Sequence, residues 1–88
     1  MYKIITEKEV TVDLSKISAE ISRRIILKIN NHLALSPREL GRPLTGKYKG
    51  LYRYRCYDDY RVIYRILEAQ TTIVIKAIGH RKSIYKNV

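Results

Sequence analysis

From residue 51 the chain alternates tyrosine and arginine with a period of two: Tyr52-Arg53-Tyr54-Arg55, then Tyr60-Arg61, then Tyr64-Arg65. A strand places successive side chains on opposite faces, whereas a helix would scatter this pattern around its axis. The stretch therefore predicts paired strands over 51–56 and 60–67. Residues 71–78 are mostly apolar and largely β-branched, and predict a further strand. The turns between them fall at Tyr57-Asp58-Asp59 and Glu68-Ala69-Gln70. Both prolines and three of the four glycines lie in 37–50, which predicts a connecting segment before the meander.

Upstream, Tyr2-Lys3-Ile4-Ile5 predicts a short opening strand. Val10, Leu14 and Ile17 fall at helical spacing, with Glu7 and Glu9 suited to a first turn. The branched Val10-Thr11-Val12 works against that short helix over 7–17. A stronger helix follows Ser18 as N-cap, because Ile21, Ile25, Ile29 and Leu33 recur every fourth residue. Ser36-Pro37 ends it, since a residue before proline disfavours the α region. The expected fold is α+β in the order β-α-α-β-β-β: two N-terminal helices packed on one face of a small antiparallel sheet, the other face open and cationic. The opening strand adds at an edge.

Eighty-eight residues make a single domain, 1–88, with one modest core. No apolar run approaches the ~20 residues needed to span a bilayer. The N-terminus lacks a charged segment followed by an apolar run, so a cytoplasmic protein is expected. Cys56 is the lone cysteine and cannot form an internal disulfide.

The net charge is +10, and it is uneven. Residues 36–88 hold 12 basic against 4 acidic side chains, a balance of +8, while 1–35 hold 6 against 4, a balance of +2. Such charge repels itself in a compact chain. Solubility, a membrane surface or an acidic protein partner would each explain it, but arginines on strands, rather than on a basic amphipathic helix, favour nucleic acid over membrane.

Hairpin register decides where the arginines meet. A two-residue turn at Asp58-Asp59 pairs Arg55 with Val62 and sends Arg61 to the opposite face. A three-residue turn pairs Arg55 with Arg61, gathers Arg53, Arg55, Arg61 and Arg65 on one face, and leaves Tyr52, Tyr54, Val62 and Tyr64 for the helices. Hydrophobic burial favours the second register, although like charges opposite one another destabilise a strand pair. An anion seated among them would relieve that, and guanidinium groups suit phosphate. Gly79 is expected to turn the chain off the last strand and deliver His80, Arg81 and Tyr85 to this face. His32 is expected to be structural or exposed. No cluster of carboxylate, His or Cys residues suggests a metal, and no cofactor motif is present.

This set suits metal-free RNA cleavage, in which the ribose 2′-OH attacks the adjacent phosphorus while arginines stabilise the developing charge. His80 and Tyr85 are the candidates for proton transfer, with acid and base unassigned.

Leu40-Gly41-Arg42-Pro43-Leu44-Thr45-Gly46, Lys49-Gly50-Leu51-Tyr52-Arg53-Tyr54-Arg55, Asp59-Tyr60-Arg61-Val62-Ile63-Tyr64 and Gly79-His80-Arg81 with Tyr85 resemble the RelE/ParE toxin superfamily over essentially the whole chain. That resemblance implies the toxin half of a toxin–antitoxin pair. RelE-like members cut mRNA in the ribosomal A site; ParE-like members inhibit DNA gyrase without the nuclease residues. Matched by motif, the implied nuclease set is Arg53, Arg55, Arg61, Arg81 and Tyr85, with His80 beside it. Lys47, Lys49, Arg65 and Lys82 are the expected RNA-backbone contacts. An acidic RelB-like antitoxin wrapping the toxin into a hetero-oligomer is also implied.

Overall fold

The computed structural model describes residues 1–88, apart from the side chain of Asn87. Its elements are β1 (Lys3–Thr6), α1 (Lys8–Ser15), α2 (Ala19–Asn31), α3 (Pro37–Leu40), β2 (Arg42–Pro43), β3 (Tyr52–Tyr57), β4 (Tyr60–Leu67) and β5 (Thr72–His80). Five strands form one sheet in the order β1-β5-β4-β3-β2. The expected meander is β3-β4-β5. The opening strand does join at an edge, but it runs parallel to β5, pairing Lys3 with Thr72 through Thr6 with Ile75. The sheet is therefore mostly, rather than wholly, antiparallel.

Both helices form as their apolar spacing predicts. Ser18 Oγ accepts from the Ile21 amide at 3.2 Å and caps α2. That helix stops at Asn31, earlier than Pro37 alone would dictate, and Leu33 and Ala34 turn into the core as a short 3-10 turn. His32 at the break is structural: its Nδ1 lies 2.6 Å from the Tyr54 hydroxyl. Pro37 then starts α3, inside the segment expected to be a connection. Proline is suited there because a first-turn N–H has no helical partner to lose.

The principal core lies between the helices and one sheet face. Val10, Ile25, Ile29 and Leu33 pack on Tyr54, Cys56, Val62, Tyr64, Ile73, Ile75 and Ile78. Buried tyrosine hydroxyls find partners, as the cost of an unpaired buried polar group requires. Tyr64 donates to the Pro37 carbonyl at 2.6 Å, and its ring stacks on Tyr52 at 5.6 Å. β1 ends opposite Ile75, so the edge of β5 beyond it is bare. Asp13 of α1, itself buried, accepts from the Ile78 amide there at 3.0 Å.

The second sheet face is not open. Leu51, Ile63, Ala77 and Ile84 are buried there, with Leu44, Tyr48 and Tyr85 packed around them. Ile84 heads a C-terminal 3-10 turn, Ile84–Asn87, which folds back over the sheet. The clustered arginines Arg53, Arg55 and Arg61 thereby hold one end of that face, and Arg65 stands apart from them on the same face.

Candidate functional site

The β3–β4 hairpin combines both registers weighed from the sequence. Tyr57 pairs with Tyr60 around a two-residue turn, yet Arg55 pairs with Arg61, because Cys56 is the extra residue of a bulge. Asp58 takes the left-handed conformation at φ 49°, which Asp tolerates better than most residues. The bulge lets both Cys56 and Tyr57 contribute to the helix-side core. It returns Arg53, Arg55 and Arg61 to the second face.

There, Arg53 and Arg55 of β3, Arg61 of β4, and Arg81, Lys82, Ile84 and Tyr85 of the tail line a cleft of about 350 Å³. Arg61 forms its floor and is only 5% exposed. One of its terminal nitrogens donates to the Asp58 carbonyl at 3.0 Å and the Tyr60 carbonyl at 3.1 Å. These carbonyl dipoles offset the repulsion expected between facing Arg55 and Arg61 and hold the buried charge in place. The tail is fastened by the Arg81 amide donating to the Asp59 carbonyl at 2.8 Å. Tyr85, half-buried, packs its ring against Tyr48 at 5.1 Å. Five cations thus meet one phenol in one cleft, an arrangement that can seat a phosphodiester and stabilise added negative charge.

His80 is the expectation the geometry corrects. Gly79 does not turn the chain; it lies within β5 opposite Arg61, and His80 follows it opposite Tyr60. Alternation therefore sends the His80 ring to the α1 side, into a different cleft shared with Asp13, Lys16 and Tyr60. Its Nδ1 accepts from the Lys82 amide at 3.2 Å. It does not line the arginine cleft.

The expected backbone contacts divide. Lys82 lines the cleft, and the Lys47 ammonium sits 5.2 Å from the Tyr48 ring centre, next to the Tyr48–Tyr85 pair. Arg65, exposed opposite Val74, and Lys49 lie outside the lining. Sequence reasoning passed over Arg42. Its pairing with Arg53 across β2–β3 brings it into a larger neighbouring cleft of about 510 Å³, which shares Arg53 and Arg55 with the first. Its place in the Gly41-Arg42-Pro43 string was the available signal. Among the described residues, no three His, Cys, Asp or Glu side chains gather to hold a metal ion.

Burial, rather than charge, shifts the interior groups. It pushes the Cys56 thiol up to about 11 and the Tyr54 phenol up to about 12. Outside the core, Glu68 is held below the ordinary carboxylate range by hydrogen bonds from Tyr2 and Arg38.

Known proteins share this design. The family model for the ParE toxin of type II toxin–antitoxin systems matches residues 4–85. Toxin RelG of Mycobacterium tuberculosis is 32% identical over 74 residues, covering 84% of each chain. A chain in the crystal structure of the toxin–antitoxin complex RelBE2 from the same organism superposes with a TM-score of 0.85 at 29% identity, over 91% of this chain and 98% of that one. The isolated Escherichia coli RelE toxin shares the fold, with a TM-score of 0.72 at 17% identity over 91% of this chain and 84% of that one. A similar length, a common architecture and a sequence match running almost end to end agree: this chain belongs to the ParE toxin family of type II toxin–antitoxin systems, within the RelE/ParE superfamily.

Proposed function

We propose that this toxin is a ribosome-dependent endoribonuclease that cuts mRNA in the A site and so stops translation. One observation carries the reading: Arg53, Arg55, Arg61, Arg81 and Tyr85, drawn from two strands and the tail, line a single cleft. The 2′-oxygen of the scissile nucleotide bonds to the adjacent phosphorus as its proton departs. The bond from phosphorus to the 5′-oxygen breaks, and that oxygen takes up a proton. A 2′,3′-cyclic phosphate and a 5′-hydroxyl result. Arginines facing the non-bridging oxygens lower the barrier because the phosphoryl group gains negative charge on the way. Arg61, already fixed by two carbonyls, needs no reorganisation to do so. Tyr85 is the lining side chain with a hydroxyl and takes a proton-transfer role.

The same reading gives the toxin a RelB-like acidic antitoxin, in keeping with the RelBE2 complex formed by its relative, and a cytoplasmic site of action. Primer extension on translated mRNA tests the proposal. Discrete cuts are expected with the wild-type toxin, and Arg81→Ala should weaken them by ~10²–10³. Absence of cuts, or cuts unchanged in Arg81→Ala, would refute it.

The ParE family match favours a second reading, a non-enzymatic inhibitor of DNA gyrase. Strong inhibition of supercoiling by the purified toxin, with translated mRNA left intact, would select it.

A further inference from the structure

Asp59 closes the β3–β4 turn, but the turn does not need its side chain: Asp58 carries the left-handed φ. Its carboxylate instead reaches the end of β5. Oδ1 lies 3.3 Å from Arg81 Nε, and Oδ2 lies 3.8 Å from His80 Nε2. The Asp59 carbonyl also accepts the Arg81 amide. His80 flanks the same carboxylate. Since its Nδ1 accepts from the Lys82 amide, a neutral ring carries its proton on Nε2, the nitrogen facing Asp59. The Tyr60 ring packs edge-on against it at 5.8 Å. One carboxylate therefore faces residues 80 and 81, of which Arg81 enters the arginine cleft.

A carboxylate paired with one of the cleft's cations lowers the field that attracts a polyanion, so electrostatic steering does not account for it. Stability does not account for it either, because the pair is about half exposed and such pairs contribute little. We infer that Asp59 is a positioning residue for Arg81, an ion-pair partner at the Nε edge of the guanidinium that keeps this side chain in the cleft where the scissile phosphate would sit. This rests on the nuclease reading for its consequence, but its geometry can be tested separately. Arg81 is long and half exposed, and an unheld side chain of that kind would have to be ordered at each encounter. Preorganisation removes that step.

The test uses Asp59→Asn, Asp59→Ala and the charge-retaining Asp59→Glu, each in wild-type and Arg81→Ala backgrounds. Single-turnover cleavage of mRNA on programmed ribosomes should slow about 10-fold in Asp59→Asn and Asp59→Ala, with Asp59→Glu recovering most of the loss. Melting temperatures should stay within about 3 °C of wild type. In the Arg81→Ala background the Asp59 substitutions should cost nothing more, because the group they position is gone. A merely structural role would instead give additive losses. Independently of activity, the Arg81 Nε–Hε resonance, assigned by its disappearance in Arg81→Ala, should move toward the position of a free arginine in Asp59→Asn. Wild-type cleavage rates in Asp59→Asn, additive losses, or an unmoved resonance would overturn the inference. If the wild-type toxin does not cleave mRNA, the nuclease reading fails, and the resonance still decides whether Asp59 holds Arg81.

Discussion

Adding one methyl group at Gly41 should destabilise the toxin more than almost any other single carbon. A Cβ built there lies 1.8 Å from the Tyr64 hydroxyl oxygen, 2.8 Å from Cζ of that ring and 3.2 Å from the Pro37 carbonyl oxygen. Backbone geometry is not at issue, because φ −96° and ψ 162° suit any residue. The conflict is with a ring that cannot retreat: Tyr64 is fully buried, stacked on Tyr52 and bonded to Pro37. Gly41→Ala must therefore break that hydrogen bond, leaving buried groups unpaired at ~1–3 kcal/mol, and force the ring aside at a further ~1–3 kcal/mol. A total of about 4 kcal/mol corresponds to a melting temperature lower by roughly 20 °C in a domain of this size. Thermal denaturation by circular dichroism reads it directly. Tyr64→Phe removes the atom nearest the new methyl, so Gly41→Ala should cost about half as much in that background. Melting of Gly41→Ala within about 5 °C of wild type, or an undiminished cost when it is combined with Tyr64→Phe, would refute the reasoning.

Asp13→Ala strips the Ile78 amide of its buried acceptor and should cost ~1–3 kcal/mol, with hydrogen exchange at Ile78 accelerated more than at neighbouring amides. Alkali should unfold the protein between about pH 9 and 12. The folded state holds Cys56 and Tyr54 in their neutral forms, so this stability is complete below their unfolded pKa values and is lost as pH rises through about 11 and about 12. For Cys56 the rise amounts to roughly 3 kcal/mol. Absorbance at 295 nm should accordingly show Tyr54 and Tyr64, both raised by burial, ionising only as the fold is lost. Arg38→Ala should instead leave the urea midpoint nearly unchanged, because its ion pair with Glu68 is half exposed.

The sequence was most legible where one rule governed a whole element. Period-two alternation located β3 and β4, and a four-residue apolar repeat located α2. It was least legible where an atom was satisfied by a partner distant in the chain. Nothing near Asp13 announces that its carboxylate serves an amide 65 residues away, and nothing near Glu7 announces its ion pair with Lys76. The hairpin shows the limit well. Burial arguments chose the correct facing of Arg55 and Arg61, but counting turn residues could not reveal the bulge at Cys56 that produces it. Strand alternation sufficed to put Arg53, Arg55 and Arg61 on one face. The bend expected at Gly79 does not form; the strand continues through it, and one further residue of strand puts His80 on the opposite face. The covering of the second face by Leu51 and Ile84 depends on the tail folding back, which no local period encodes.

On the proposed nuclease function, the arginine cleft holds an RNA phosphodiester while its own neighbouring 2′-hydroxyl attacks it. The most direct measurement is single-turnover cleavage, by purified toxin, of A-site mRNA carrying one 2′-deoxynucleotide at the mapped scissile position. Cleavage there should vanish, while the all-ribose message is cut to a 2′,3′-cyclic phosphate and a 5′-hydroxyl. Undiminished cutting of the deoxy-substituted message, or products ending in a 5′-phosphate, would contradict the account.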